Sequence, residues 1–407
     1  MVNEVQQGGW DSQETSFPSR LRELAFLFLK LGAISFGGPA AHIALIETEI
    51  VHKRKWVTRQ QFLDMVGAAN LIPGPTSTET AINTGFVRAG WTGLFVAGVS
   101  FILPAALITG AFGWAYVRFG NLPQTISVLA GIKPAVVAII AIAIWRLGKT
   151  AVKRVGLAGL GVLSFAAFFF DLNPIIILFG GGALGMLIRK PLSSGSAGAF
   201  LLPILRPRGS PSLLHWMTVT AVASATAAAV AIQPSIAQIG LFFLKVGAVL
   251  YGGGYVLLAF LEQGLVQQHS WLTQQQLLDA VAIGQFTPGP VLSTATFIGY
   301  ILGGARGAAV ATVGIFLPSF FYVALLAPVL FRLRKSTWIA AFLDSVNVCA
   351  VALMAGVTFR LGVDALRTWS SWVIGLTSLA VLLRWKTSPA WIVLGGGVAG
   401  FLLAAFR

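Results

Sequence analysis

Apolar residues run along this chain in long blocks separated by short polar intervals. Blocks such as 93–114 and 125–145 supply the ~20 residues with which a helix crosses a bilayer core, and about 13 hydrophobic segments can be marked in all. The pattern predicts an all-α polytopic membrane protein. It is broken twice in the same way: "FLKLGAISFGGP" (28–39) and "FLKVGAVLYGGG" (243–254) each place a lysine and helix-breaking residues inside an apolar run.

These two stretches belong to a repeat. Residues 28–75 match 243–290 at a constant offset of 215 without a gap, with 20 identities in 48 positions. The pairs include Lys30/Lys245, Glu47/Glu262, Trp56/Trp271, Asp64/Asp279 and the triplets Pro73-Gly74-Pro75 and Pro288-Gly289-Pro290. Shared hydrophobicity would pair leucines, not these residues. After a one-residue deletion the match resumes, with Arg146-Leu147-Gly148 against Arg360-Leu361-Gly362. The expected organisation is a polar N-terminal tail (1–20) without the layout of a signal peptide, a first repeat (21–188), a linker (189–235) with one extra apolar segment at 213–232, and a second repeat (236–407).

One extra span between halves that each cross an even number of times turns the second half upside down. Charge placement agrees, because basic loops stay cytoplasmic. The loop "ETEIVHKRKWVTRQQ" holds Lys53, Arg54, Lys55 and Arg59, whereas its partner "EQGLVQQHSWLTQQQ" has neither Lys nor Arg. Simple spans from a cytoplasmic N-terminus would still strand the basic loop outside. Re-entrant hairpins remove the conflict: helices over 21–35 and 40–53 meet at Phe36-Gly37-Gly38-Pro39, and a second pair over 59–87 meets at Pro73-Gly74-Pro75. Each arm of ~14 residues reaches only ~21 Å, short of the ~30 Å core. Thirteen conventional spans would also invert the halves. The sequence therefore predicts two inverted-topology repeats with broken, re-entrant helical hairpins, joined by a linker helix.

Composition fits a membrane protein and narrows its partners. The 407 residues are 56% hydrophobic and 10% charged, with mean hydropathy +0.83, against about 25% charged in a soluble domain. The net charge of +15 reads as the cytoplasmic excess of Lys and Arg, not as a nucleic-acid face, since little polar surface exists to display one. Cys349 is the single cysteine, so neither a disulfide nor a thiolate metal site is expected, and no cofactor is implied.

The breaks carry the candidate chemistry. Irregular backbone at membrane depth is tolerated where protein or a water-filled cavity satisfies it, and helices that begin after Gly-Gly-Pro or Pro-Gly-Pro aim free N–H groups and a positive dipole end at the break. The candidate anion-binding set is Lys30, Gly37, Gly38, Pro39, Asn70, Pro73, Gly74, Pro75, Thr76 and Ser77 in the first half. In the second half it is Lys245, Gly252, Gly253, Gly254, Gln285, Pro288, Gly289, Pro290 and Ser293. The glycines serve equally well for close helix packing. Lys30 and Lys245 could snorkel from a helix end, but their place inside an apolar arm and their pairing favour a buried partner or substrate. Asp64 and Asp279 read as N-terminal caps near the interface, and Glu47 and Glu262 as interfacial. Glu79 has no acidic counterpart and is the candidate proton-coupling residue, or else a counter-ion of Lys30. Lys133, opposite Asn347, is a third intramembrane cation with the same two readings.

The class that fits is a secondary transporter of an anion. A membrane enzyme acting on lipid phosphates would need a carboxylate cluster or a nucleophile with its base, and His42, His52, His215 and His269 are scattered. An anion channel would need a continuous pore.

Taken together, "FLKLGAISFGGP", the W-x-T-x-x-Q-F-L-D stretch Trp56 to Asp64 and the N-x-x-P-G-P run Asn70 to Pro75, each with a degenerate second copy, resemble the chromate ion transporter family in its long, two-domain form. The resemblance implies a bacterial inner-membrane exporter of chromate, driven by the proton-motive force, that confers chromate resistance, with sulfate as an isosteric competitor. Another oxyanion, and proton antiport against anion exchange, stay open, as does a homodimer. Pro39 becomes Gly254 and Asn70 becomes Gln285 in the second copy, so the two halves are expected to contribute unequally.

Overall fold

A computed structural model describes residues 16–189, 234–251, 254–326, 337–385 and 387–405. The expected linker segment at 213–232 and Gly252 and Gly253 lie outside these residues. The first half forms α1 (Phe17–Ile34), α2 (Pro39–Glu47, prolonged by a π-helical turn, Thr48–Lys53), α3 (Arg59–Ala69), α4 (Thr76–Phe119), α5 (Pro123–Ala151), α6 (Val155–Phe169) and α7 (Pro174–Arg189). The second forms α8 (Ile236–Val249), α9 (Leu257–Leu261, prolonged by a π-helical turn, Glu262–Gln268), α10 (Gln274–Phe286), α11 (Thr294–Leu326), α12 (Thr337–Ala365), α13 (Trp369–Arg384) and α14 (Pro389–Ala405).

Local sequence sets the hairpin arms. α3 and α10 begin with matching capping boxes. Thr58 Oγ1 accepts from Gln61 N–H and Gln61 Oε1 from Thr58 N–H, as Thr273 and Gln276 do in the second half, which satisfies otherwise orphaned donors. The W-x-T-x-x-Q motif is thus a helix start, and Asp64 and Asp279 are not the caps. α4 reverses at Ala89 and Gly90, where Gly90 has φ +62°. Gly85 then lies against Gly93, and a Cβ on either would run into the other's carbonyl. In a straight helix, residues eight apart would be ~12 Å apart. The arm 76–88 therefore closes the second hairpin, and 91–119 is a separate span. α11 repeats the reversal at Gly303 and Gly304, with Gly299 against Gly307.

Among the described residues, four segments are long and apolar enough to cross a membrane, and they lie within Thr76–Phe119, Pro123–Ala151, Val291–Leu325 and Trp338–Ala365. α6, α7, α13 and α14 have 15 to 17 residues each. The repeat-related helices α5 and α12 run antiparallel, since Gly148 packs on Val351 while Gly362 packs on Val137. That arrangement is the inversion.

The halves are not separate bodies. α6 and α7 of the first half pack on α12 of the second, with Gly182 against Phe342 and Val346, whereas α13 and α14 pack on α5, with Gly131 against Gly396. α1 packs on α4, α8 on α11, and α4 on α11. Two composite units result: a hairpin body (α1–α4 with α8–α11) and a frame (α5–α7 with α12–α14). They arise because each half's terminal helix pair is held by the other half.

Candidate functional site

The four breaks meet at the pseudo-two-fold of the hairpin body. Gly74 N–H donates to the Leu250 carbonyl (2.7 Å) and Gly289 N–H to the Ser35 carbonyl (2.8 Å). Ser35 and Leu250 are repeat-related, so each Pro-Gly-Pro turn is tied to the first break of the opposite half. Gly74 has φ +137° and Gly289 φ +87°, a region that glycine alone enters cheaply. A Cβ at Gly74 would also strike the Glu79 carboxyl, and one at Gly289 would lie 2.7 Å from Ala105 Cβ.

On the first-half side a cavity of ≈ 1040 Å³ separates hairpin body from frame. Phe36, Gly37, Pro39, Asn70, Gly74 and Thr76 form its hairpin wall, while Ile139, Arg146 and Lys153 from the α5 side and Asn347 from α12 face them. Neither Gly38 before α2 nor Pro75 before α4 offers a side-chain cap, so the first N–H groups of both helices have no cap among the described residues. Thr76 Oγ1 donates to Asn70 Oδ1 (3.0 Å). Arg146 is exposed and has no acidic partner among the described residues. Lys153 pairs with Asp344 (2.8 Å) beside it. Uncapped N–H groups, hydroxyl and amide donors and a free guanidinium make this wall suited to an anion.

The corresponding space on the second-half side is filled. Phe168 packs against Gly356, the repeat-mate of Ile142, and Tyr251, the mate of Phe36, packs on Phe179. Arg360, the mate of Arg146, pairs with Glu262 (3.3 Å) and Asp171 (2.9 Å) and lies 4.6 Å over the Phe168 ring. Lys133 pairs with Asp279 (3.2 Å) and donates to Gln275 (3.0 Å), and Tyr116 donates to Asp279 Oδ2 (2.9 Å). Hairpin body and frame are thus pinned together on one side and apart on the other.

The structure sorts the sequence-predicted residues accordingly. Gly37, Pro39, Asn70, Gly74 and Thr76 line the cavity, and Gly38 caps α2 beside it. Pro73, Pro75 and Ser77 are buried behind the wall, as are Gly254, Gln285, Pro288, Gly289, Pro290 and Ser293 in the filled half. Lys30 and Lys245 are exposed on the outward stripes of α1 and α8, because Leu27, Phe28 and Leu31, and Phe243 and Val246, take the inward positions. They stand away from the cavity, and the cations that meet carboxylates between hairpin body and frame are Lys133 and Arg360, both partly buried. Glu79 is fully buried with neither carboxyl oxygen hydrogen-bonded, so the ion pair with Lys30 is absent. Glu262, read as interfacial, is fully buried, and Asp279 is nearly so. The scatter of the four histidines along the sequence hides one site residue, His42. It is buried, with Nε2 donating to the Ser35 carbonyl (3.1 Å) and Nδ1 3.4 Å from Ser77 Oγ, which links both breaks of the first half. Its spacing of three from Pro39 was the available signal.

The family model described as "Chromate transporter" matches residues 22–186 and again 237–401. The chain is 34% identical over 389 residues to the chromate transport protein of Cupriavidus metallidurans, covering 94% of this chain and 93% of that one. It is 33% identical over 373 residues to a probable chromate transport protein of Synechococcus elongatus, with 90% of each covered, and 28% identical over 393 residues to the chromate transport protein of Pseudomonas aeruginosa, with 95% and 93% covered. No solved structure matches. With both repeats matched and the identities spread over nearly the whole length, the chain belongs to the chromate transporter family.

Proposed function

We propose that this protein is a multi-pass transporter, not an enzyme, of the bacterial inner membrane that exports chromate and so confers resistance to it. The observation that carries the reading is the one-sided cavity: it runs from basic residues at the end of α5 to uncapped helix starts at the centre, while its pseudo-symmetric twin is shut. An inverted repeat with one vestibule open and the other filled is the asymmetry that alternating access requires. By the distribution of Lys and Arg the open side is cytoplasmic and the N-terminus lies on that side, which suits loading for export. Chromate, a tetrahedral dianion, would leave water for Thr76, Asn70 and the N–H groups that open α2 and α4, with Arg146 supplying charge. Without such a cation the desolvation cost would be prohibitive. Glu79, buried behind Gly74 with no hydrogen-bond partner among the described residues, is the proposed proton-coupling residue. The test is uptake of labelled chromate into inverted vesicles with and without a proton gradient, competed by sulfate, phosphate and molybdate. Gradient-stimulated uptake, blocked best by sulfate, is expected, and Glu79→Gln abolishes the stimulation. Gradient-independent flux would point to a channel, and unchanged coupling in Glu79→Gln would remove that residue.

A further inference from the structure

Arg146 on α5 and Arg360 on α12 hold the same place in the two repeats, yet only one is engaged. Arg360 belongs to the frame, and Glu262, which it meets at 3.3 Å, belongs to the hairpin body and is fully buried. The pair is therefore a bond between the two composite units. Arg146 faces the cavity with no acidic partner among the described residues. The repeat-mate of Glu262 is Glu47, which lies 3.5 Å from Arg59. In the second repeat the place of Arg59 is taken by Gln274, so Glu262 meets no competing cation there.

We propose that Arg146 and Arg360 are a pair of anion-contacting residues used in turn, and that Glu47 and Glu262 are the carboxylates that occupy them when their side is closed. The proposal rests on the transporter reading and names the residues that meet the oxyanion at each face. A guanidinium presents a planar fork that suits two oxygens of a tetrahedral anion as well as it suits a carboxylate. Anion and glutamate thus compete for the same donors. On the open side Arg146 is available to the anion because Arg59 retains Glu47. On the closed side Glu262 and Asp171 fill the donors of Arg360, and the Phe168 ring covers its face. When the hairpin body moves across the frame, Glu262 leaves Arg360 to an anion on that side and Glu47 exchanges Arg59 for Arg146. Binding and closure then use one set of donors, so a side cannot shut over its arginine while an anion holds it.

The test uses the full chain carrying Cys349→Ser, in vesicles of known orientation. Ala41→Cys reports the open cavity and Val291→Cys, the first residue after the second Pro-Gly-Pro turn, reports the closed side; each is labelled from either face with an impermeant maleimide. Glu262→Gln and Arg360→Gln should both raise labelling of Val291→Cys from the outer face about tenfold, as expected for losing a charged hydrogen bond. Arg360→Gln should also raise the chromate KM measured from that face about tenfold, whereas Glu262→Gln, which removes the competitor for the same donors, should lower it. Arg146→Gln, an exposed substitution that does not endanger folding, should raise the KM from the inner face with a smaller change in maximal rate. Unchanged labelling in both second-half variants overturns the gate, and an unchanged inner-face KM in Arg146→Gln overturns the anion contact. Labelling does not depend on the substrate: the Val291→Cys shift without chromate flux in the unaltered chain would uphold the gate and sink only the chromate reading.

Discussion

The two vestibules are built from the same sequence plan and differ at a few substituted positions. On the closed side Arg360 has both Glu262 and Asp171, and Lys133 has Asp279. On the open side the equivalents are Arg146 with Glu47 diverted to Arg59, and Asn347 in the place of Lys133. Each substitution removes an attraction between hairpin body and frame on the first-half side only. Two copies of one sequence plan therefore rest in opposite arrangements where their ion pairs differ. The difference teaches that broken charge symmetry, not a distinct fold for each half, sets which side stands open.

The largest break in this comparison comes from Asp279→Ala. It leaves the Lys133 ammonium, 14% exposed, without its carboxylate, and removing one partner of a buried pair costs about 3–5 kcal/mol. Thermal unfolding in detergent should show the loss, and Lys133→Met added to Asp279→Leu should recover most of it. A milder change sharpens the comparison. Arg59→Gln copies Gln274 into the first half and frees Glu47 for Arg146, so labelling of Ala41→Cys from the inner face should fall by up to about fivefold, the range of a single exposed ion pair. The smallest effect concerns the hairpin loops. Glu49 pairs with Lys53 (2.8 Å) and Arg54, whereas its repeat-mate Gly264 lies under the Phe242 ring. The Lys53 hydrogen bond holds the Glu49 carboxyl below the ordinary glutamate range. Its contribution is present above ~pH 4.3, the unfolded value, and is lost as pH falls through the lower folded value. Melting of the unaltered chain should thus drop more than that of Glu49→Gln between about pH 5 and pH 3, by less than ~1 kcal/mol.

Much of this was legible in the chain. Hairpins could be read from paired breaks because a glycine or proline acts on its own backbone, so Pro73-Gly74-Pro75 and Phe36-Gly37-Gly38-Pro39 announced themselves. The repeat and its inversion followed from residue identity and from charged loops, which are again local facts. What escaped was pairing across the repeat. Lys30 looked like a site residue because it interrupts an apolar run, yet rotation about α1 turns it outward with Phe26, and 100° per residue is not visible in a list of breaks. Glu262 and Asp279 looked interfacial because their partners, Arg360 and Lys133, lie 98 and 146 positions away in sequence (360 minus 262, 279 minus 133). The caps of these arms are the Thr58/Gln61 and Thr273/Gln276 boxes and not Asp64 and Asp279, because a Thr three positions before a Gln satisfies the first donors of the helix.

The exchange of terminal helix pairs between halves has a consequence for synthesis. α6 and α7 are finished at Arg189, but their packing partner α12 starts only at Thr337. At ~5–20 residues per second, the nascent chain spends roughly 7–30 s with that helix pair inserted and its inner face uncovered. A ribosome that stalls within this interval would leave an unpaired surface in the bilayer, available to quality-control proteases or to the matching pair of a neighbouring nascent chain. The fold's interlock thus sets a deadline for translation.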